Sequence, residues 1–125
     1  MLYQRLTPDF IFSDDRGTLT QLVHTGYTQI NVVTSKAGIL RGSHYHKQST
    51  EAFYVISGTV DVTLSREGKE EKATFQSGDF FQIEPYIVHS MFYPEDAILV
   101  ALYDMPVELK NGEKDIFTAE SDKNG

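Results

Sequence analysis

Two histidines, His44 and His46, stand one residue apart in this chain. A glutamate, Glu51, follows five residues later, and a further histidine, His89, lies far downstream. On an extended backbone, residues i and i+2 project to the same side, so both imidazoles of the pair enter the same space. Imidazole nitrogens with one carboxylate oxygen form a borderline donor set that suits zinc, iron, manganese, nickel or copper. Spacing alone does not make a metal site, because histidines at i and i+2 are more often surface or hydrogen-bonded residues than ligands. The remaining histidine, His24, stands apart from this pattern and is expected to be an ordinary surface or strand residue.

For side chains so far apart in sequence to meet, the chain between them must fold back several times. Its patterning predicts short strands. Thr59 to Leu64 alternates cleanly, with Val60, Val62 and Leu64 on one face and Thr59, Asp61 and Thr63 on the other. Thr28 to Thr34 sets Ile30 and Val32 against Gln29 and Asn31, the period of two of a strand with one buried face. Ala52 to Ile56 and Ala97 to Tyr103 are apolar runs rich in branched and aromatic residues, suited to deeper burial. Turn residues punctuate the chain at Asp15-Arg16-Gly17, Lys36-Ala37-Gly38, Ser57-Gly58, Glu67-Gly68, Ser77-Gly78-Asp79 and Asn111-Gly112. No stretch carries a long amphipathic helical pattern, so the expected class is all-β, a sandwich or barrel. A small barrel can point alternate side chains of several strands into one cavity.

A length of 125 residues fits one domain, predicted over residues 1–117, with a polar, frayed tail over 118–125. The apolar share of 40% and charged share of 23% are those of an ordinary globular chain. A formal charge of −7 argues against nucleic acid or an anionic membrane surface as partner. The absence of cysteine excludes disulfides, thiolate catalysis and cysteine-based metal sites. No apolar run is long enough to span a bilayer, and the N-terminus lacks the pattern of a secretory signal. Cytoplasmic is therefore the default localisation.

Gly38, five residues, His44-Tyr45-His46, four residues, Glu51, six residues and Gly58 reproduce the first motif of the cupins. Gly78-Asp79 through His89 resembles the second cupin motif, with three departures. The usual proline falls on Glu84 with Pro85 beside it, the usual glycine on Tyr86, and the late asparagine on Tyr93. The resemblance implies a cupin fold, a double-stranded β-helix or jelly-roll barrel, with one divalent metal ion on His44, His46, Glu51 and His89. Zinc is the first expectation; manganese, iron and nickel are the others.

Phe12 to Leu19, which includes Asp14-Asp15-Arg16-Gly17, and Gly38 to Lys47 are similar to stretches of the nucleotide-sugar cupins. These are the deoxysugar 3,5-epimerases, the 3,4-ketoisomerases and the zinc-binding cupin domain of capsule-polysaccharide enzymes. The resemblance implies an isomerase or epimerase acting on a nucleotide-linked keto sugar. Such chemistry needs a base, an electrophile at the carbonyl and a proton donor. A metal can supply the electrophile. With His44 as a ligand, base duty passes to Glu84, Tyr86 or Tyr93. With the site empty, His44 is the base and a tyrosine the acid. Arg41, whose planar fork suits phosphate, and more weakly Lys47 are the candidate substrate-binding residues. Arg16 is expected to serve the turn, Tyr45 to pack outward against another layer or subunit, and Phe53 and Val55 to wall the cavity.

Two other functions fit the same donor set: a metal-dependent oxygenase of small organic acids, and a non-catalytic sugar- or ligand-binding module. A homodimer is expected, with the N-terminal strand Leu2 to Leu6 adding to a neighbour's sheet edge.

Overall fold

In the computed structural model, residues 1–118 are described, and they contain no helix. Twelve strands follow in order: β1 (Gln4–Arg5), β2 (Phe10–Asp14), β3 (Gly17–Gln21), β4 (Gln29–Ser35), β5 (Leu40–Tyr45) and β6 (Glu51–Ser57), then β7 (Thr59–Arg66), β8 (Lys69–Gln76), β9 (Phe80–Ile83), β10 (Val88–Phe92), β11 (Ala97–Tyr103) and β12 (Phe117–Thr118). One five-stranded sheet runs β1-β9-β6-β11-β4 and a second runs β12-β5-β10-β7-β8, while β2 and β3 form a separate hairpin. All the strand pairs are antiparallel. The two large sheets face each other as a jelly-roll sandwich, the all-β cupin architecture that the motifs imply.

Alternation in β7 comes out as expected: Val60, Val62 and Leu64 are buried in the space between the sheets, joined there by Val55, Ile83, Leu99 and Ala101. The ring of Phe53 stacks on Phe81, which stacks in turn on Phe75 at 3.7 Å. Burying each such ring contributes on the order of 2 kcal/mol.

The final glycine of the first motif has a steric reason. Gly58 turns the chain from β6 into β7 with φ 85°, and a Cβ there would collide with Asp96 O and the Ala97 Cα. At the second motif, Tyr86 occupies the place of the usual glycine and takes φ 67°. The turn before His89 thus keeps its left-handed residue without the glycine that most easily adopts it. The Tyr86 N–H donates to His46 O at 2.7 Å, and its ring stacks on Tyr45.

β4 departs from the sequence reading. Its pattern predicts that Ile30 and Val32 face the core, yet they are 62% and 68% exposed. The register with β11 sets Val33 opposite Leu99 and Asn31 opposite Ala101, both inward-facing positions, so Ile30 and Val32 point out. As an edge strand, β4 leaves that apolar face open on the outside of the sheet. The N-terminal segment forms the other edge of the same sheet. It pairs with β9, Gln4 against Gln82 and Arg5 against Phe81. Thr118, the first residue of the expected tail, pairs with His44; the rest of that tail lies outside the described residues.

Candidate functional site

His44 lies in β5 and His46 one residue past its end, so both imidazoles leave the same side of the strand. Glu51 opens β6 in the opposing sheet, and His89 stands in β10 directly opposite His44. The donor atoms of these four residues all lie within 4.8 Å of one another. His46, Glu51 and His89 are buried, and His44 is partly open.

Each imidazole has its Nδ1 on a backbone carbonyl: His44 on Gly42 O at 3.0 Å, His46 on Asp115 O at 2.5 Å, and His89 on Ile87 O at 3.3 Å. A carbonyl only accepts, so Nδ1 carries the proton in all three, and every Nε2 is turned to the common centre. His46 Nε2 lies 2.9 Å from Glu51 Oε1, and His89 Nε2 lies 3.5 Å from the same oxygen. The first is a hydrogen bond; the second is too long for one, and His89 Nε2 has no hydrogen-bond partner among the described residues. A buried nitrogen lone pair without a partner costs free energy unless something binds it. Three convergent Nε2 atoms, one of them orphaned, and a carboxylate match what a divalent cation requires.

The electrostatics follow from this packing. Burial by itself pushes the Glu51 carboxyl up, but the hydrogen bond with His46 and the nearness of His89 outweigh it and hold it down to about 2. His46 is pulled down by burial and raised more strongly by Glu51, so it ends above its ordinary value. Glu51 therefore favours the protonated form of His46, and a cation bound at its Nε2 would have to displace that proton. His44 is lowered, first by burial and then by His89. It is a neutral imidazole at pH 7.

His44, Glu51 and His89 line a cavity of about 230 Å³ between the sheets. Its walls include Val33, Phe53, Met91, Leu99, Ala101 and Ile116; Arg41, Ser90, Tyr93 and Tyr103 are its other polar residues. Of the three residues expected as a base, only Tyr93 lines this space. Glu84 is exposed and lies beside Met1, Gln4 and Arg66. Tyr86 is spent on the turn and on Tyr45. Tyr93 is 1% exposed and raised by burial, with Ser35 and Arg41 partly offsetting that. Tyr103 is raised further, by burial and then by the Glu51 charge. Both phenols stay protonated and can donate.

Arg41 sits at the cavity rim. Its Nε donates to Ser35 Oγ at 2.9 Å and its Nη2 to Thr34 O at 3.0 Å, which fixes the guanidinium plane. The same side chain borders an open groove of about 570 Å³ with Lys36, Ser57 and Asp96. Lys47 is turned away, its ammonium 4.2 Å from the Phe117 ring centre. Tyr45 packs between Tyr86 and Phe117 of the same chain. Arg16 holds its turn through Asp14, and His24 pairs with Asp9 on the surface. Val55 belongs to the core and Phe53 to the cavity wall. Two site residues carry no signal in the motifs: Tyr103, which only its strand parity with Ala101 marks as inward-facing, and Asp115, whose partners are nearly seventy positions away.

Comparison with known proteins gives one family match, to the family described as polysaccharide biosynthesis C-terminal domain, over residues 12–103. Over 47 residues the chain is 43% identical to a UDP-2-acetamido-2,6-beta-L-arabino-hexul-4-ose reductase of Pseudomonas aeruginosa; the match covers 37% of this chain and 13% of the relative. Over 65 residues it is 34% identical to a 3-hydroxyanthranilate 3,4-dioxygenase of Burkholderia cenocepacia, covering 51% of this chain and 37% of that one. The chain thus spans well under half the length of the curated relatives it matches. Among solved structures, a 3,4-ketoisomerase from Helicobacter canadensis superposes with a TM-score of 0.81 at 18% identity, covering 98% of this chain and 94% of that one. A mutant 3,4-ketoisomerase from Thermoanaerobacterium thermosaccharolyticum, in complex with TDP-4-keto-6-deoxyglucose, gives 0.79 at 17%, covering 96% and 89%. These likenesses establish the fold.

Proposed function

The chain belongs to the polysaccharide biosynthesis C-terminal domain family, and from that premise we propose that it is an isomerase or epimerase of a nucleotide-linked keto sugar. The observation that carries this reading is the cavity itself. It is sized for a small molecule and lined by three of the metal-type donors and by an oriented guanidinium that also borders an open groove. A sugar ring in the cavity and its diphosphate at Arg41 fit that layout, and a structural relative was solved with a TDP-linked keto sugar bound.

His46, Glu51 and His89 would hold one divalent ion, zinc first among the candidates, with His44 beside them. A bound ion supplies Lewis acidity to the keto oxygen. His44 is the partly open member of the four, its imidazole held neutral by burial, and it takes the proton from the carbon next to the carbonyl. That role excludes its use as a fourth ligand while substrate is present. Tyr93 and Tyr103, kept protonated by burial, return a proton to the opposite face or the neighbouring carbon. The apolar walls exclude water from the enediolate. Lys47 has no part in this reading, since its ammonium is engaged with Phe117.

The test is deuterium exchange. Incubating the metal-loaded protein with TDP-4-keto-6-deoxyglucose in D2O should place deuterium beside the carbonyl. His44→Asn should abolish exchange yet retain metal, whereas His46→Asn should lose both. Absence of saturable binding to any nucleotide sugar would sink the proposal.

A dimer belongs to the same reading. The β2–β3 hairpin pairs with no other strand among the described residues, and it exposes Phe10, Ile11, Phe12 and Leu19 by half or more. The open face of β4, with Ile30 and Val32, is an apolar surface of the kind a second copy would cover.

The 34% identity to a dioxygenase favours one alternative, oxygen chemistry at an iron-loaded centre. Oxygen uptake by the iron-loaded protein with a small aromatic acid would support it; zinc in freshly purified protein with no oxygen consumption would dismiss it.

A further inference from the structure

The loop between His46 and Glu51 joins two of the donors through only four residues, so its shape sets their spacing. Three successive N–H groups of that loop converge on one carboxylate. Lys47 N donates to Asp115 Oδ1 at 2.7 Å, while Gln48 N and Ser49 N donate to Asp115 Oδ2 at 3.0 Å each. Asp115 is 1% exposed. Its own carbonyl takes the His46 Nδ1 proton, and its own N–H donates to Val107 O at 2.7 Å. The following residues keep it there: Ile116 lines the cavity, Phe117 pairs with Tyr45 and stacks on its ring, and Thr118 pairs with His44.

We propose that Asp115 is the positioning residue of the donor cluster. Its carboxylate moulds the loop that spaces His46 from Glu51, and its carbonyl fixes the tautomer and plane of His46. Residues 115–118 then act as a latch laid over the His44-Tyr45-His46 segment. Both carboxylate oxygens are turned to backbone N–H groups, and Asp115 is not one of the four clustered donors, so it acts through the loop and not as a ligand itself. The inference rests on the reading of the cluster as a metal site.

Zinc affinity, measured by competition with a chromophoric chelator, and the visible spectrum of the cobalt-substituted protein test it. Asp115→Ala removes all three loop bonds. Asp115→Asn keeps the volume but sets an amide donor against an N–H, and it carries the test should the alanine variant not fold. Removing an outer-sphere partner of this kind weakens metal binding by about tenfold to a hundredfold. Both variants should show that loss and a changed cobalt spectrum. Val60→Ala, a core truncation away from the site, should lower the melting temperature and leave affinity and spectrum untouched. Asp115 variants that melt early yet bind zinc with wild-type affinity and show the wild-type spectrum would overturn the proposal and leave Asp115 a fold-stabilising residue. Wild-type protein that takes up no metal would overturn the proposal together with the metal reading, and that failure is seen before any variant is compared.

Discussion

Glu51→Gln changes one buried charge and nothing in shape, which makes its effect calculable. The carboxyl has an ordinary value of 4.5 and is held at about 2 in the folded protein, where the His46 contact more than offsets the cost of burial. Each pH unit of difference between the folded and unfolded states is worth about 1.4 kcal/mol. Glu51 therefore contributes about 3 kcal/mol when ionised in the metal-free protein. The folded value is the lower one, so the unfolded chain takes up the proton first as the pH falls. The contribution is complete above pH 4.5, declines from there, and is gone below pH 2. At pH 6, where both His46 and Glu51 are charged, the variant should be less stable than wild type by about 3 kcal/mol. At pH 3 the gap should shrink to about 1 kcal/mol. Urea unfolding of chelator-treated protein, followed by circular dichroism at both pH values, reads the two gaps directly. A gap that is the same at pH 3 as at pH 6 would show that the charge on Glu51 is not what the His46 contact stabilises, and the electrostatic account of the cluster would fail with it.

Arg41→Ala removes a guanidinium already oriented by Ser35 and Thr34. Loss of a charge-assisted hydrogen bond costs about 1.5–3 kcal/mol, so calorimetry should find TDP bound about ten- to a hundredfold more weakly, and an unchanged Kd would remove Arg41 from phosphate binding. In the two-residue turn Glu67-Gly68, both residues have positive φ, 53° and 82°, a shape that asparagine tolerates better than glutamate. Glu67→Asn should thus gain up to about 1 kcal/mol and raise Tm by about 4 °C, as read by a thermal melt; a lower Tm would contradict the turn assignment. Val32→Lys places a charge on the open face of β4 and should convert a dimer to a monomer by light scattering; a dimer that survives it is built on another surface.

Much of the fold was legible because β7 obeys a simple rule: one face is buried, so Val60, Val62 and Leu64 alternate with polar residues. The first motif was legible for a different reason. Gly58 can hold no side chain against Asp96, and two donors on one strand must sit at i and i+2 to point the same way. β4 misled because alternation reveals a period and not which face is inside; here Ile30 and Val32 point outward while Val33 packs against the core. Glu84 and Tyr86 stand near His89 in sequence, yet Glu84 is exposed beside Met1, Gln4 and Arg66 and the Tyr86 ring stacks on Tyr45, so neither lines the cavity. Asp115 and Tyr103 were invisible for want of a local pattern. Their roles depend on register between strands far apart in the chain, and single-sequence periodicity does not encode it.

The donors are divided between the two sheets, His44 and His89 on one and Glu51 on the other. A cation gripped by both halves would rivet them together, and it would bind only a chain in which every one of those strands is already assembled. Folding and loading are then a single coupled equilibrium. Each tenfold rise of free ion above its Kd adds about 1.4 kcal/mol against unfolding, so the resistance of this small sandwich to heat would track the ion supply around it.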